Sequence, residues 1–355
     1  MLKTPFVLLR LFNFAVGILF VASMSLPLVA KAETVIKVLT DRTESNLKPI
    51  FEAYEKEKGV KISAVYIDQG LISRLESRPT EADVIITKDA ELLDIAKDKK
   101  LLQPFNSGTI IANIPKEFRS TENYYFIDAY RGRVIIYSKK RVKPSQLSTY
   151  EDLALPKWKG KLCIRSGYHD YNVSLFSQMA ASWGIDRAKH VMKGYHENLA
   201  REPKGSDRDQ AKGIFDGVCD VGLLNTYYYP LMKDTPEQKP WADATDIFFP
   251  DQEHQGVFVL RSALGLSTAK TNIDAATKLL EYFSSKQGQA LTSKMTYQFT
   301  TNKDVPTHPF LKTLGTGQPS VKEGRFKMNT VPLQFAAETR DSVVKYLNEI
   351  NFDKH

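Results

Sequence analysis

A short apolar strand that runs through a polar loop into an amphipathic helix recurs along this sequence. That alternation constrains the fold more than any other feature. Residues 35–39 read as a strand and 40–45 as its polar loop. Asn46 suits the cap of a helix whose Leu47, Ile50, Phe51 and Tyr54 recur at helical period, and Gly59 ends it. Residues 60–66 form the next strand, and a second unit runs through Leu71 to Leu75. Residues 82–87 are again an apolar strand, leading into a helix that contains Leu92, Leu93 and Ile95. Strands joined through helices in this way predict an α/β fold with a parallel sheet covered on both faces.

The pattern continues with a longer span. Residues 125–137 are long for one strand and carry Arg131 and Arg133 in the middle. Two readings fit: a strand crossing between lobes with its arginines in solvent, or guanidinium forks that hold an anion in a cleft. Residues 148–151 have a capping-box pattern for a short helix. Residues 161–165 read as a strand and 166–171 as its loop. Asn172 starts a helix with Leu175, Phe176, Met179 and Trp183 on one face, closed by Gly184. Helices over 186–199 and 207–216 follow, then a strand at 219–224. Tyr227, Tyr228 and Tyr229 come next, with Pro230 suited to a first helical turn. Residues 247–249, 256–260 and 264–266 read as strands, the last two returning toward the first lobe. Helical segments follow from Thr271, through Gln287–Met295, and over 342–347 near the C-terminus. No repeat or low-complexity linker appears, so two lobes would be joined by two or more chain crossings.

The first 32 residues carry Lys3 and Arg10, an apolar run from about Leu11 to Leu28, and Val29-Ala30-Lys31-Ala32. This is the pattern of a secretory leader cleaved after Ala32; a retained membrane anchor is the other reading, against which the small-residue site and the polar onset at Glu33 argue. The roughly 320 residues that remain are too many for one ordinary domain and fit two lobes. The whole chain has a formal net charge of +8, and without the leader's Lys3, Arg10 and Lys31 it falls to about +5. Acidic and basic residues are interspersed, which gives no nucleic-acid footprint. Two cysteines, Cys163 and Cys219, each lie in a strand ahead of a candidate ligand loop. An exported pair is permitted to oxidise, and two buried thiols are the alternative. No nucleophile elbow, phosphate loop or zinc-protease helix is present, so the chain does not read as an enzyme.

Three loops, 40–45, 166–171 and 225–229, follow strand carboxyl ends, where α/β folds gather ligands. They carry Glu44, Tyr168, His169, Asp170, Tyr171 and the tyrosine triplet. An oxygen-rich set without sulfur suits a hard cation, and three phenolates balance a trivalent one, for which ferric iron is the abundant choice. The tyrosines equally suit stacking in a pocket for a small organic ion, and a lone loop histidine such as His169 is ordinarily a surface residue.

Arg165-Ser166 followed by Tyr171-Asn172 and Ser174-Leu175, and Cys219-Asp-Val through Asn225-Thr-Tyr-Tyr, carry a resemblance that spans most of the exported chain. Looser points are Ala82 to Thr87 and Arg131-Gly-Arg-Val. The sequence resembles the periplasmic ferric-iron-binding proteins of ABC importers, the bacterial transferrin-like, tyrosine-rich subgroup of class II solute-binding proteins. The resemblance implies a two-lobed periplasmic-binding-protein (Venus flytrap) fold of class II. It places residues 33–130 and 246–303 in one lobe and 131–245 and 304–355 in the other. Tyr171, Tyr227 and Tyr228 would bind Fe(3+), while Arg131, Arg133 and Arg42 would seat a synergistic anion such as carbonate. The expected protein is a periplasmic monomer that hands iron to an inner-membrane ABC permease. Many relatives place a His-Tyr pair where this chain has Thr43 and Glu44, so the first lobe loses an imidazole and a phenol and Glu44 is the candidate replacement ligand. The alternative is an ABC-type receptor for a phosphonate, sulfonate or polyamine that uses the same tyrosines and arginines without metal.

Overall fold

A computed structural model describes residues 34–269 and 271–354. The leader expected over residues 1–32 lies outside them. Strand β1 (Val35–Thr40) feeds helix α1 (Glu44–Lys58), which Gly59 closes at φ 63°, a left-handed conformation that glycine adopts at little cost. The helix begins at Glu44, with Thr43 flanking it, so Asn46 lies inside the first turn rather than capping it. Then come β2 (Lys61–Tyr66), α2 (Leu71–Ser77), β3 (Val84–Thr87), α3 (Glu91–Asp98), β4 (Leu102–Gln103) and α4 (Gly108–Asn113). Strand β1 pairs in parallel with both β2 and β3, as two successive βα units require.

The long segment is one strand, β5 (Tyr125–Ser138), followed by β6 (Leu162–Cys163), α5 (Asp170–Trp183), α6 (Ile185–Glu197), α7 (Asp207–Phe215), β7 (Val221–Asn225), α8 (Tyr228–Asp234), α9 (Lys239–Ala244) and β8 (Thr245–Phe248). The chain returns through β9 (Val259–Ser267), α10 (Ile273–Ser284), α11 (Lys286–Thr296), β10 (Phe299–Thr300), α12 (Pro309–Lys312) and α13 (Leu333–Glu349). The strand expected at 161–165 is confined to two residues. The pieces expected at 256–260 and 264–266 join in one strand. The capping box expected at Ser148 is replaced by Asp152, whose carboxylate accepts from the Ser148 hydroxyl ahead of a short 3-10 turn.

Strand β5 serves two groups of strands. Its first part pairs antiparallel with β9, from Tyr125 opposite Gly265 to Gly132 opposite Val259. Its second part pairs antiparallel with β7 and β8. The strand order is β2-β1-β3-β9-β5-β7-β6, so the sheet is mixed rather than wholly parallel. The parallel order holds for β1 with its two neighbours and for β6 with β7; the crossing strands β5 and β9 break it.

Alternation along the strands sorts the apolar residues onto two faces of each half. In the first half, Ile36, Val38, Val84 and Ile86 join one core, and Leu39 and Ile85 join another. In the second, Ile135, Val221 and Leu223 face one way, and Val134, Ile136 and Leu224 the other. Helix α13 lies on α5 and α6 of the second half and also touches α3 of the first. Among the described residues no helix is long and apolar enough to cross a membrane.

Candidate functional site

Three phenols converge because two local structures aim them at one place. Helix α5 starts at Asp170, where the His169 side chain accepts a hydrogen bond from the Tyr171 N–H through Nδ1 at 3.1 Å. The His169 ring also lies 4.7 Å from the Tyr171 ring. Burial, then the nearby Arg165 charge, lowers the His169 pKa to about 4, so the imidazole is neutral and free to accept. Strand β7 ends at Asn225, and the chain turns straight into α8, which places Tyr227 and Tyr228 with ring centroids 4.1 Å apart. The Tyr171 and Tyr227 hydroxyls are 3.3 Å apart. Tyr229 faces the other way; its hydroxyl donates to the carbonyls of Ala242 and Thr245 in the core.

These phenols line a cavity of about 380 Å³, together with Arg42, Thr43, Lys88, Arg131 and Arg208. The Arg131 and Arg165 guanidinium carbons lie 5.3 and 5.2 Å from the Tyr171 ring centroid, and that of Arg208 lies 5.9 Å from the Tyr228 ring. Burial, followed by the neighbouring Tyr171 and Tyr228, pushes the Tyr227 pKa far up. Burial and the Asp207 charge push Tyr228 up to about 12. Without a cation among them these two phenols therefore keep their protons at neutral pH. A metal ion reverses that preference by stabilising the phenolates.

The three arginines expected to seat an anion have separate situations. Arg131 is 1% exposed and donates to the Ser262 hydroxyl at 3.3 Å, while its Nε and Nη2 are buried without a protein acceptor. Such a group is costly unless something accepts from it. Arg42 also borders the cavity, but Asp128 holds it at 3.3 Å. A bulge in β5 between Ile127 and Ala129 leaves Asp128 outside the strand pairing. Arg133 corrects the expectation. It is fully buried and does not line the cavity; it donates to Asp207, to Asn172 at 2.7 Å and to Asn225 at 3.3 Å. Asp207 also accepts from the Asn225 N–H at 2.9 Å and from Arg165 at 3.3 Å. Arg133 and Asp207 thus tie together the loop carrying Tyr171 and the strand end preceding Tyr227. The solvent reading of these two arginines fails as well, since both are buried.

Glu44 is a second correction. It lies in the first turn of α1, where a carboxylate suits the positive end of the helix, and pairs with Lys48 at 3.3 Å in solvent. It is not among the residues lining the cavity; Thr43 just before the helix and Ser45 and Asn46 of the same first turn are. Tyr168 and Asp170 border a neighbouring cavity rather than this one. A disulfide joins Cys163 and Cys219, with Cα atoms 5.8 Å apart; Cys163 ends β6 as expected of a strand residue, whereas Cys219 lies just ahead of its neighbour β7 rather than in it. Sequence reasoning gives Asp207, Arg208 and Lys88 no part in the site, and it uses Asn225 only as part of the motif before the tyrosines. The one signal for Asp207 was its position at the start of a helix, which points to a cap rather than to a hub for arginines.

Residues 40–290 match the family of bacterial extracellular solute-binding proteins. The Synechocystis protein named iron uptake protein A1 is 32% identical over 320 residues, covering 88% of this chain and 86% of that one. The crystal structure of the apo ferric ion-binding protein A of Pasteurella haemolytica superposes with a TM-score of 0.83 at 34% identity, over 90% of this chain and 99% of that one. A Trichodesmium protein solved in complex with iron and citrate ligands gives a TM-score of 0.80 at 33% identity, over 90% and 99%.

Proposed function

The chain belongs to the family of bacterial extracellular solute-binding proteins, and we propose that it captures ferric iron between two lobes for import through an ABC permease of the inner membrane. The observation that carries this reading is the convergence of the Tyr171, Tyr227 and Tyr228 phenols in a cavity bordered by Arg131 and Arg208. The names of the similar proteins, which are iron-uptake and ferric-binding proteins, point to the same cargo. Three phenolates neutralise a trivalent ion, and neighbouring guanidinium groups favour the deprotonated form of each ring they face.

The cargo is iron accompanied by a small anion. Arg131 presents buried donors that lack an acceptor, and carbonate or a carboxylate of an organic chelator would satisfy them. The cavity volume of about 380 Å³ leaves room for such a companion beside one ion. Citrate, bound with iron in the Trichodesmium relative, belongs to this chemical class. The first-half loop contributes Thr43 and Ser45 hydroxyls rather than a phenol, so the anion takes coordination positions that the protein leaves open. The cores support two lobes divided near residue 130. Ile247, Phe248, Phe249, Val257 and Phe258 pack with the second lobe rather than the first, so the return crossing expected at 246 falls later, at β9, than in the expected division of 33–130 with 246–303 and 131–245 with 304–355. Export by a cleaved leader and action as a periplasmic monomer complete the reading.

The test is spectroscopic. Ferric iron supplied as a weak chelate to metal-stripped protein should give a broad visible tyrosinate-to-iron band. Tyr227→Phe and Tyr228→Phe should each weaken or abolish it. A folded, stripped protein that stays colourless would sink the reading, and saturable binding of a phosphonate, sulfonate or polyamine would replace it.

A further inference from the structure

Away from the phenols, a second cluster of charges lies where the two halves meet. Asp89 and Glu91 come from the turn after β3 and the start of α3, in the first half. They are 5% and 1% exposed. Their cover comes from the second half and the tail. The Ser174 hydroxyl of α5 donates to Glu91 at 2.7 Å. Arg340, in the middle of α13, lies 3.5 Å from Asp89, 3.3 Å from Glu91 and 3.3 Å from Asp170 at the start of α5. Lys88 adds a contact with Asp170 at 3.5 Å. Helix α13 is itself fixed to α5, because the Thr339 hydroxyl donates to the Ser177 carbonyl at 2.9 Å. One guanidinium thus reaches three carboxylates drawn from both halves.

We propose that Arg340 is a positioning residue that holds the two halves closed, so that the C-terminal helix sets how readily the cargo is released. The argument is one of desolvation. Asp89 and Glu91 are buried only while α5 and α13 cover them, and burying charge is tolerable only while an opposite charge stays beside it. Removing the guanidinium leaves the Asp89 carboxylate without its nearest counter-charge and Glu91 without the cation beside it. Rotating the halves apart then hydrates them and relieves the cost, which favours the open form. A shift of that equilibrium lowers the population able to enclose cargo, and so weakens apparent binding without touching a ligand. Asp170 precedes Tyr171 directly, so the same contact fixes the end of the helix that carries one phenol.

The release arm of this inference rests on the iron reading above, whereas the shape arm does not. Small-angle scattering of the metal-free full chain should show Arg340→Gln larger in radius of gyration than the parent, with Arg340→Lys between them. In iron-loaded protein, transfer to a strong chelator should be about tenfold faster in Arg340→Gln. Combining Asp89→Asn with Arg340→Gln removes the stranded charge, and should return both readings toward the parent. It also keeps the test alive should the single variant fail to fold. Unchanged scattering in a folded Arg340→Gln overturns the proposal, as does a double variant no more compact than the single one. If the parent binds no iron, the function proposed above fails while the scattering comparison still decides this one.

Discussion

Asp207 accepts from Arg133, Arg165 and the Asn225 backbone N–H while wholly buried, and so holds two parts of the site together. Its substitution strands Arg133, which has no access to water. Asp207→Ala should therefore cost about 3–5 kcal/mol of unfolding free energy, read as a lower denaturant midpoint. A midpoint within error of the parent would mean that Asn172 and Asn225 suffice for Arg133. The same residue scale separates two arginines that look alike in sequence. Arg131 and Arg133 lie two apart in one strand, yet only Arg131 of the two lines the cavity of the phenols; Arg133, with one unpaired nitrogen of its own, is enclosed away from it.

Among the elements, the pair β6 and β7 leads into both ligand loops of the second half. Only Leu162 and Cys163 of β6 pair with β7, so the ladder itself is short. The disulfide compensates by joining Cys163 to Cys219 ahead of β7, closing a span of 56 residues. Cys163→Ala with Cys219→Ala should lower stability by about 2–4 kcal/mol, chiefly by freeing the unfolded chain. Reductant should bring the parent to the midpoint of the double variant and leave the variant unmoved. If the parent does not respond to reductant, the bond does not contribute to stability. Helix α5 then carries the result to the core: its Phe176 is fully buried against Tyr195 and Phe352, and Phe176→Ala should cost about 3–5 kcal/mol in the same measurement.

At the scale of the whole molecule, the junction of the halves should make stability depend on pH. Burial, then the charge of Asp89, raises the Glu91 pKa from 4.5 to about 8, while Arg340 and Arg261 pull it down. The Ser174 hydroxyl donates to Glu91, and Asp170 shares the same Arg340. A carboxyl whose pKa is higher when folded binds its proton more tightly in the native state. Its contribution is complete below 4.5 and is lost as pH rises through about 8. Unfolding free energy should therefore fall across that window, and Glu91→Gln should flatten the fall. An equally steep profile in the variant would assign the dependence to other groups.

The sequence by itself determined the α/β alternation, the apolar faces and the three loops, because helix and strand periods and turn residues are local signals. It also brought Tyr168, Tyr171 and the triplet Tyr227, Tyr228 and Tyr229 into the segments that lead from strands into helices, while the family resemblance picked Tyr171, Tyr227 and Tyr228 from among them. The tertiary structure decided the rest. Whether Arg133 seats an anion or anchors a loop depends on Asp207, 74 residues away. Whether Glu44 faces cargo or solvent depends on where α1 begins. Arg340 meets Glu91 across 249 residues. Such contacts are set by how sheets and helices pack around β5 and β9, and long-range packing leaves no period in the chain to read.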